Sequence, residues 1–107
     1  MTDPKDCCEP SIGSVRFPDD LADKAKIFRA LGEEVRLKLV HLVRDDEVCV
    51  CDLVAVMGMP QGTLSHHLGV LQQAGLVTAR KQGRWNYYKA TPLALGTVDN
   101  LRVAAHA

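Results

Sequence analysis

Apolar residues recur at helical spacing through the first two thirds of the chain and then switch to an extended pattern. Leu21, Ala25, Phe28 and Leu31 mark one amphipathic helix that Gly32 ends, and Val35, Leu39, Leu42 and Val43 mark a second. Residues 1–17 carry Pro4, Pro10 and Gly13 with scattered charge and no periodicity. They read as an N-terminal arm, with Pro18 and Asp19-Asp20 opening the first helix. Asp45-Asp46 is a polar break. A short third helix is predicted from about Cys49 to Met57, closed by Gly58 and by Pro60, which keeps Met59 off the α region. A fourth begins at Pro60 or Gln61, buries Leu64, Leu68 and Leu71 as one stripe, and stops at Gly75. Gln61, Thr63, Ser65, His66, Gly69 and Gln73 are left facing outward.

After Gly75 two runs, Leu76 to Lys81 and Arg84 to Lys89, flank Gln82-Gly83 and predict a β-hairpin. Short helix, turn, helix and hairpin is the order of a winged helix-turn-helix. The fold class is mainly α with a β-hairpin wing (α+β). A last helix, Pro92 to Ala105, carries Leu93, Leu95, Val98, Leu101 and Val103 and is too apolar to be left in water. Packing of the first and last helices against a second copy is expected, because two-fold dimers read paired half-sites on DNA. Residues 18–107 form the DNA-binding and dimerisation domain in this reading.

A chain of 107 residues is one domain with a modest core, which a homodimer would enlarge. No apolar run approaches the roughly 18 residues that span a bilayer, and Met1-Thr2-Asp3-Pro4-Lys5-Asp6 is no signal peptide. The expectation is a cytoplasmic protein without membrane contact. The zero net charge hides a segregation. Residues 1–52 hold twelve acidic and eight basic side chains, a net −4, whereas residues 53–98 contain no Asp or Glu and carry Arg80, Lys81, Arg84 and Lys89, a net +4. The positive half is a footprint for a polyanion. On it, Thr63 and Ser65 suit phosphate or base edges, Gln61 suits adenine, and His66 suits guanine or phosphate. Arg80, Lys81 and Arg84 are placed to clamp phosphates or the minor groove. His67, close to the buried stripe, reads as a structural histidine, and Trp85 with Tyr87 or Tyr88 as packing for the hairpin on the body.

The four cysteines fall in two tight pairs, Cys7-Cys8 and Cys49-Val50-Cys51, unlike the distributed spacing of a secreted disulfide framework. In a reducing compartment such pairs read as ligands; the plainer alternative is ordinary packed thiols. Soft sulfur donors select thiophilic ions, and a pair at the start of a DNA-reading unit points to a transcription factor that senses a metal or metalloid. Side chains two apart on a regular helix diverge by roughly 200°, so Cys49 and Cys51 are expected to share an ion only if the first turn distorts. Asp52 and Glu47 are expected to favour a helix N-terminus through their charge.

Three segments, Glu47 to Leu53, Ser65-His66-His67-Leu68 and Arg80 to Tyr88, stand in an order and spacing that resemble the ArsR-SmtB family of winged-helix metalloregulators over roughly residues 20–95. The resemblance implies a homodimeric repressor that leaves its operator DNA when metal binds. Cys-Val-Cys-Asp-Leu followed by a Lys-Gln-Gly-Arg-Trp wing looks most like the arsenite-responsive repressors, and the same cysteine pair occurs in the cadmium/lead branch. Arsenite is therefore the first inducer implied, with antimonite, cadmium(II) and lead(II) beside it.

The chain departs from one arsenite pattern, in which a third cysteine follows Asp-Leu directly; Val54 stands there. A third donor would come from Cys7 or Cys8, within or between subunits; the adjacent arm pair also resembles a variant arsenite site in which Cys7 and Cys8 work with one of Cys49 and Cys51. Trivalent arsenic takes three thiolates in a pyramid, and cadmium or zinc four donors in a tetrahedron. The family's zinc site on the last helix is not expected, since Asp99 and His106 lack its spacing. A thiol redox switch using the same cysteines is the alternative from another class, resting on a helix N-terminus lowering a thiol pKa. A structural zinc domain is disfavoured by the sufficient helical core. An enzyme is not expected, since nothing resembling an acid-base constellation or anion loop accompanies Cys51, His66 or His67.

Overall fold

A computed structural model of the chain describes residues 13–104. The predicted arm therefore enters it only from Gly13, and Cys7 and Cys8 lie outside the described residues. Residues 13–18 have no regular structure and are exposed, with Phe17 among the exposed apolar side chains. Helices α1 (Leu21–Leu31) and α2 (Glu34–Leu42) follow. Next come a two-residue strand β1 (Val48–Cys49) and helix α3 (Val50–Met57). The order ends with α4 (Gln61–Gln73), β2 (Val77–Gln82), β3 (Trp85–Ala90) and α5 (Pro92–Asp99). The result is a mainly helical fold with an antiparallel wing.

The predicted stripes supply the centre. Leu39 and Val43 from α2 and its C-cap, Leu53 from α3, Leu64, Leu68 and Leu71 from α4, and Leu76 are sealed from solvent, and Ala94 closes the cluster from α5. No polar or charged residue is buried among the described residues. Gly75 ends α4 with φ 76, and the Leu76 N–H donates to the Leu71 carbonyl at 2.9 Å, the six-residue closure that favours glycine. Thr91 then caps α5 by accepting from the Ala94 N–H, with Pro92 in its first turn.

Four expectations need correcting. The hairpin is the outer part of a three-stranded sheet of order β1-β3-β2; β1 is too short to show a period and is made by pairing Val48 with Tyr88 and Cys49 with Tyr87. The turn is Gly83-Arg84, one residue later than predicted, because Gln82 pairs with Trp85. Gly83 takes φ 62 and no non-glycine residue among the described ones has positive φ, the pattern of a two-residue loop needing Gly at its first central position. Helix α3 starts at Val50, so Cys49 stands outside it. Lastly, α5 ends at Asp99, and residues 101–104 are irregular and exposed. Leu101 and Val103 continue the apolar pattern but find no core within the subunit.

Candidate thiol site and nucleic-acid interface

Cys49 and Cys51 meet at the junction of β1 and α3. Pairing with β3 holds Cys49 extended, φ −66 and ψ 142, as the residue that caps the helix. Its side chain therefore does not follow the helical sweep. The Cys51 thiol donates to Cys49 Sγ at 2.8 Å, with Cys49 buried and Cys51 exposed, both free. This overturns the expected divergence of the two sulfurs: no distortion of α3 is needed for them to face one point. Two thiolates on a tetrahedral centre with bonds of about 2.3 Å stand about 3.8 Å apart, so the pair has to open by roughly 1 Å to chelate. Among the described residues no group of three or more His, Cys, Asp or Glu could hold a metal ion. The pair thus supplies two soft donors and requires a third from elsewhere.

The hydrogen bond to Cys49 holds the Cys51 thiol above its ordinary pKa, with burial and the charges of Cys49 and Asp52 pushing the same way and the Asp52 N–H opposing. A redox sensor wants the reverse, a thiol lowered by the helix N-terminus. Asp52 lies in the first turn of α3, as its charge favours. Glu47 does something else: it accepts from Arg80 Nε at 3.1 and 2.9 Å through its two oxygens. Arg80 holds the Glu47 carboxyl below the usual range, with Lys89 adding to the effect.

Helix α4 and the wing present the predicted polar face. Gln61, Thr63, Ser65 and His66 are exposed along α4, Arg80 and Lys81 along β2, and Arg84 in the turn. His67 turns inward and accepts from Arg36 Nε at 3.2 Å, with Glu33 at 3.7 Å. The Arg36 guanidinium also donates to the Arg29 and Ala30 carbonyls. It thereby ties the end of α1 to the recognition helix, a link that periodicity gives no sign of. Trp85 departs from its expected packing role. Tyr88 is buried in the core, but Trp85 stays 43% exposed at the wing with the Arg84 guanidinium 5.6 Å from its ring. Asp99 is taken by Arg44, which donates to both carboxylate oxygens at 3.0 and 2.7 Å.

A short helix, a tight turn at a left-handed Gly58, a polar-faced second helix and a basic antiparallel wing define a winged helix-turn-helix DNA-binding regulator. Residues 33–79 match the model of the bacterial regulatory proteins of the arsR family. Over 101 residues the chain is 42% identical to ArsR2 of Halobacterium salinarum, whose name assigns it to repression of an arsenical resistance operon; the match covers 90% of this chain and 83% of that protein. It is 41% identical over 70 residues to the cadmium resistance regulatory protein CadC of Listeria innocua, covering 64% of this chain and 59% of that one. Among solved structures, HlyU of Vibrio cholerae superposes with a TM-score of 0.71 at 25% identity, over 78% of this chain and 91% of that one. The chain belongs to the ArsR-SmtB family of winged-helix regulators and is related to both its arsenical and its cadmium branches. It is a DNA-binding protein and not an enzyme; the matched proteins are transcriptional regulators. No helix among the described residues is long and apolar enough to cross a membrane.

Proposed function

We propose that the protein is a cytoplasmic homodimeric repressor that binds the operator of its own promoter and is released when trivalent arsenic, or antimony, is bound by cysteine thiolates. Cys49 and Cys51 are two of the ligands and Cys7 or Cys8 supplies the third; Cd(II) and Pb(II) are the competing inducers. The observation that carries this reading is the convergence of the two sulfurs, 2.8 Å apart, at the point where β1 becomes α3. When bound, the ion would tie together, as thiolates, two sulfurs that are otherwise joined by one hydrogen bond from the Cys51 thiol. The arsenical preference draws on the long match to ArsR2 and on the donor set, since a pyramid of three thiolates needs one sulfur beyond the pair.

The chain's own residues carry the rest. Gln61, Thr63, Ser65 and His66 on α4 face bases and phosphates in the major groove, and Arg80, Lys81 and Arg84 hold the flanking backbone. Opening the thiol pair moves β1 and the first turn of α3. From there the Gly58-Met59-Pro60 turn leads to α4, and the β1–β3 ladder leads to the wing. Two heads that lose their one-turn spacing lose affinity; an allosteric coupling of ~1–3 kcal/mol lowers it roughly 5- to 150-fold.

The test is fluorescence anisotropy of the reduced protein on a duplex from the DNA upstream of its own reading frame, titrated with arsenite and separately with cadmium. Cys7→Ser, Cys8→Ser, Cys49→Ser and Cys51→Ser are run beside the wild type. Release by arsenite that needs Cys49, Cys51 and an arm cysteine is expected. Binding without release by either ion removes the metal reading, and release by peroxide alone moves the thiol redox switch into its place.

A further inference from the structure

Three strands bring one row of side chains to the outer face of the wing. Cys49 of β1 stands opposite Tyr87 of β3, and Tyr87 stands opposite Arg80 of β2. Glu47, two residues before Cys49, reaches back across this row to Arg80. Arg80 also donates to the Gln82 side-chain carbonyl at 2.9 Å and lies 5.0 Å from the centre of the Tyr87 ring. The guanidinium is thus fixed on three sides by its own protein. Among the described residues Arg80 is the wing cation that forms a salt bridge, and Lys81, Arg84 and Lys89 form none. Residues 53–98 hold no carboxylate, so the anion that Arg80 meets is borrowed from the β1 lead.

From this geometry we infer that Glu47 is an autoinhibitory clasp: it occupies Arg80 as a phosphate would, and DNA must displace it before Arg80 can grip the backbone. The inference rests on the DNA-binding reading given above and adds a positioning residue to it. Both Glu47 oxygens take the single Nε–H of Arg80, a charge-assisted contact on a guanidinium edge that a phosphate oxygen would otherwise take, so the two contacts exclude one another. Both partners are half-exposed, which leaves the clasp weak enough to be exchanged and open to the competing anion. Holding one wing cation back lowers the affinity for DNA of any sequence, because phosphate contacts carry no sequence information. The clasp also places that restraint on the segment that bears Cys49, so the wing's grip and the thiol junction share one piece of backbone.

The experiment measures binding of wild type, Glu47→Gln, Arg80→Gln and the double variant to the upstream duplex and to an unrelated duplex of equal length, from about 50 to about 200 mM salt. Loss of the clasp is expected to tighten binding of Glu47→Gln to both duplexes by roughly two- to fivefold per protomer. It should also steepen the dependence of log K on log salt by about 0.9 for each additional phosphate neutralised. Arg80→Gln weakens binding, and the double variant matches Arg80→Gln, since the carboxylate has no guanidinium left to hold. Glu47→Ala repeats the test should Glu47→Gln misfold, and thermal unfolding verifies the fold of each.

A folded Glu47→Gln with unchanged or weaker binding and an unchanged salt slope overturns the clasp and makes the pair a structural brace, while the repressor reading stands. Wild-type protein that binds neither duplex overturns both.

Discussion

At the scale of single residues, Cys49 and Cys51 differ because one belongs to a strand and the other to a helix. Cys49 is buried opposite Tyr87, and Cys51 sits exposed in the first turn of α3 with its thiol donating to the Cys49 sulfur. The thiolate is the nucleophile, and a thiol held above its ordinary pKa offers less of it at neutral pH. Iodoacetamide should therefore modify Cys51 before Cys49, yet more slowly than an ordinary exposed thiol, with a rate that climbs as pH rises through the raised pKa. Cys49→Ala removes the acceptor that stabilises the protonated form. Alkylation of Cys51 at neutral pH should then speed up. Peptide mass spectrometry reads both sites, and an unchanged Cys51 rate in Cys49→Ala would show that the hydrogen bond does not hold the proton. The spacing of the pair was readable in the sequence, but its convergence was not: the ladder to Tyr87 makes Cys49 extended, and that partner lies 38 residues away.

At the scale of elements, the helices were legible because apolar stripes repeat with the helical period, as Leu64, Leu68 and Leu71 do in α4. Turn chemistry was legible where one residue dictates it. Gly58 closes α3 at φ 65, with its N–H donating to the Val54 carbonyl. A Cβ there meets nothing within 4 Å, so Gly58→Ala isolates backbone strain of ~1–2 kcal/mol. A melting temperature lowered by roughly 4–16 °C is expected for a domain of this size, with Gly58→Asn milder, as scanning calorimetry would report. Elements fixed by remote partners were not legible: β1 has two residues, and α5 was overextended because Leu101 and Val103 prolong its pattern.

What anchors the end of α5 is the fork from Arg44 to both oxygens of Asp99. Arg44 lowers the Asp99 pKa through its hydrogen bonds and charge, so the stabilisation is present above the unfolded carboxylate's pKa and is lost as pH falls through the folded one. Asp99→Asn should consequently melt below wild type at pH 7, and the difference should shrink to nothing in acid. A gap independent of pH would mean that the charge plays no part.

At the scale of the whole molecule, the described subunit leaves apolar surface on the two helices that frame it. Leu21 and Phe28 on α1 and Leu93 on α5 are 43%, 59% and 45% exposed, and Leu101 and Val103 beyond α5 are exposed as well. In a chain of 107 residues with a small core, so many large side chains in water are a loss that a second copy can recover, at about 25 cal/mol per Å2 of apolar area covered. In the proposed homodimer, covering them by two-fold symmetry would also set the distance between the two α4 helices, and the pairing of subunits would thereby measure the operator. Phe28→Glu puts a charge into that seam without touching α4, the wing or the thiols. Sedimentation should then show a monomer where wild type sediments as a dimer. Operator binding should fall far more than binding of the isolated cation contacts would require, because each head alone holds only a half-site. Secondary structure should persist, since Phe28 lies outside the buried cluster of Leu39, Leu64, Leu68 and Leu71. A Phe28→Glu protein that remains dimeric and binds its operator as wild type does would move the interface away from α1 and leave the exposed apolar faces to another partner.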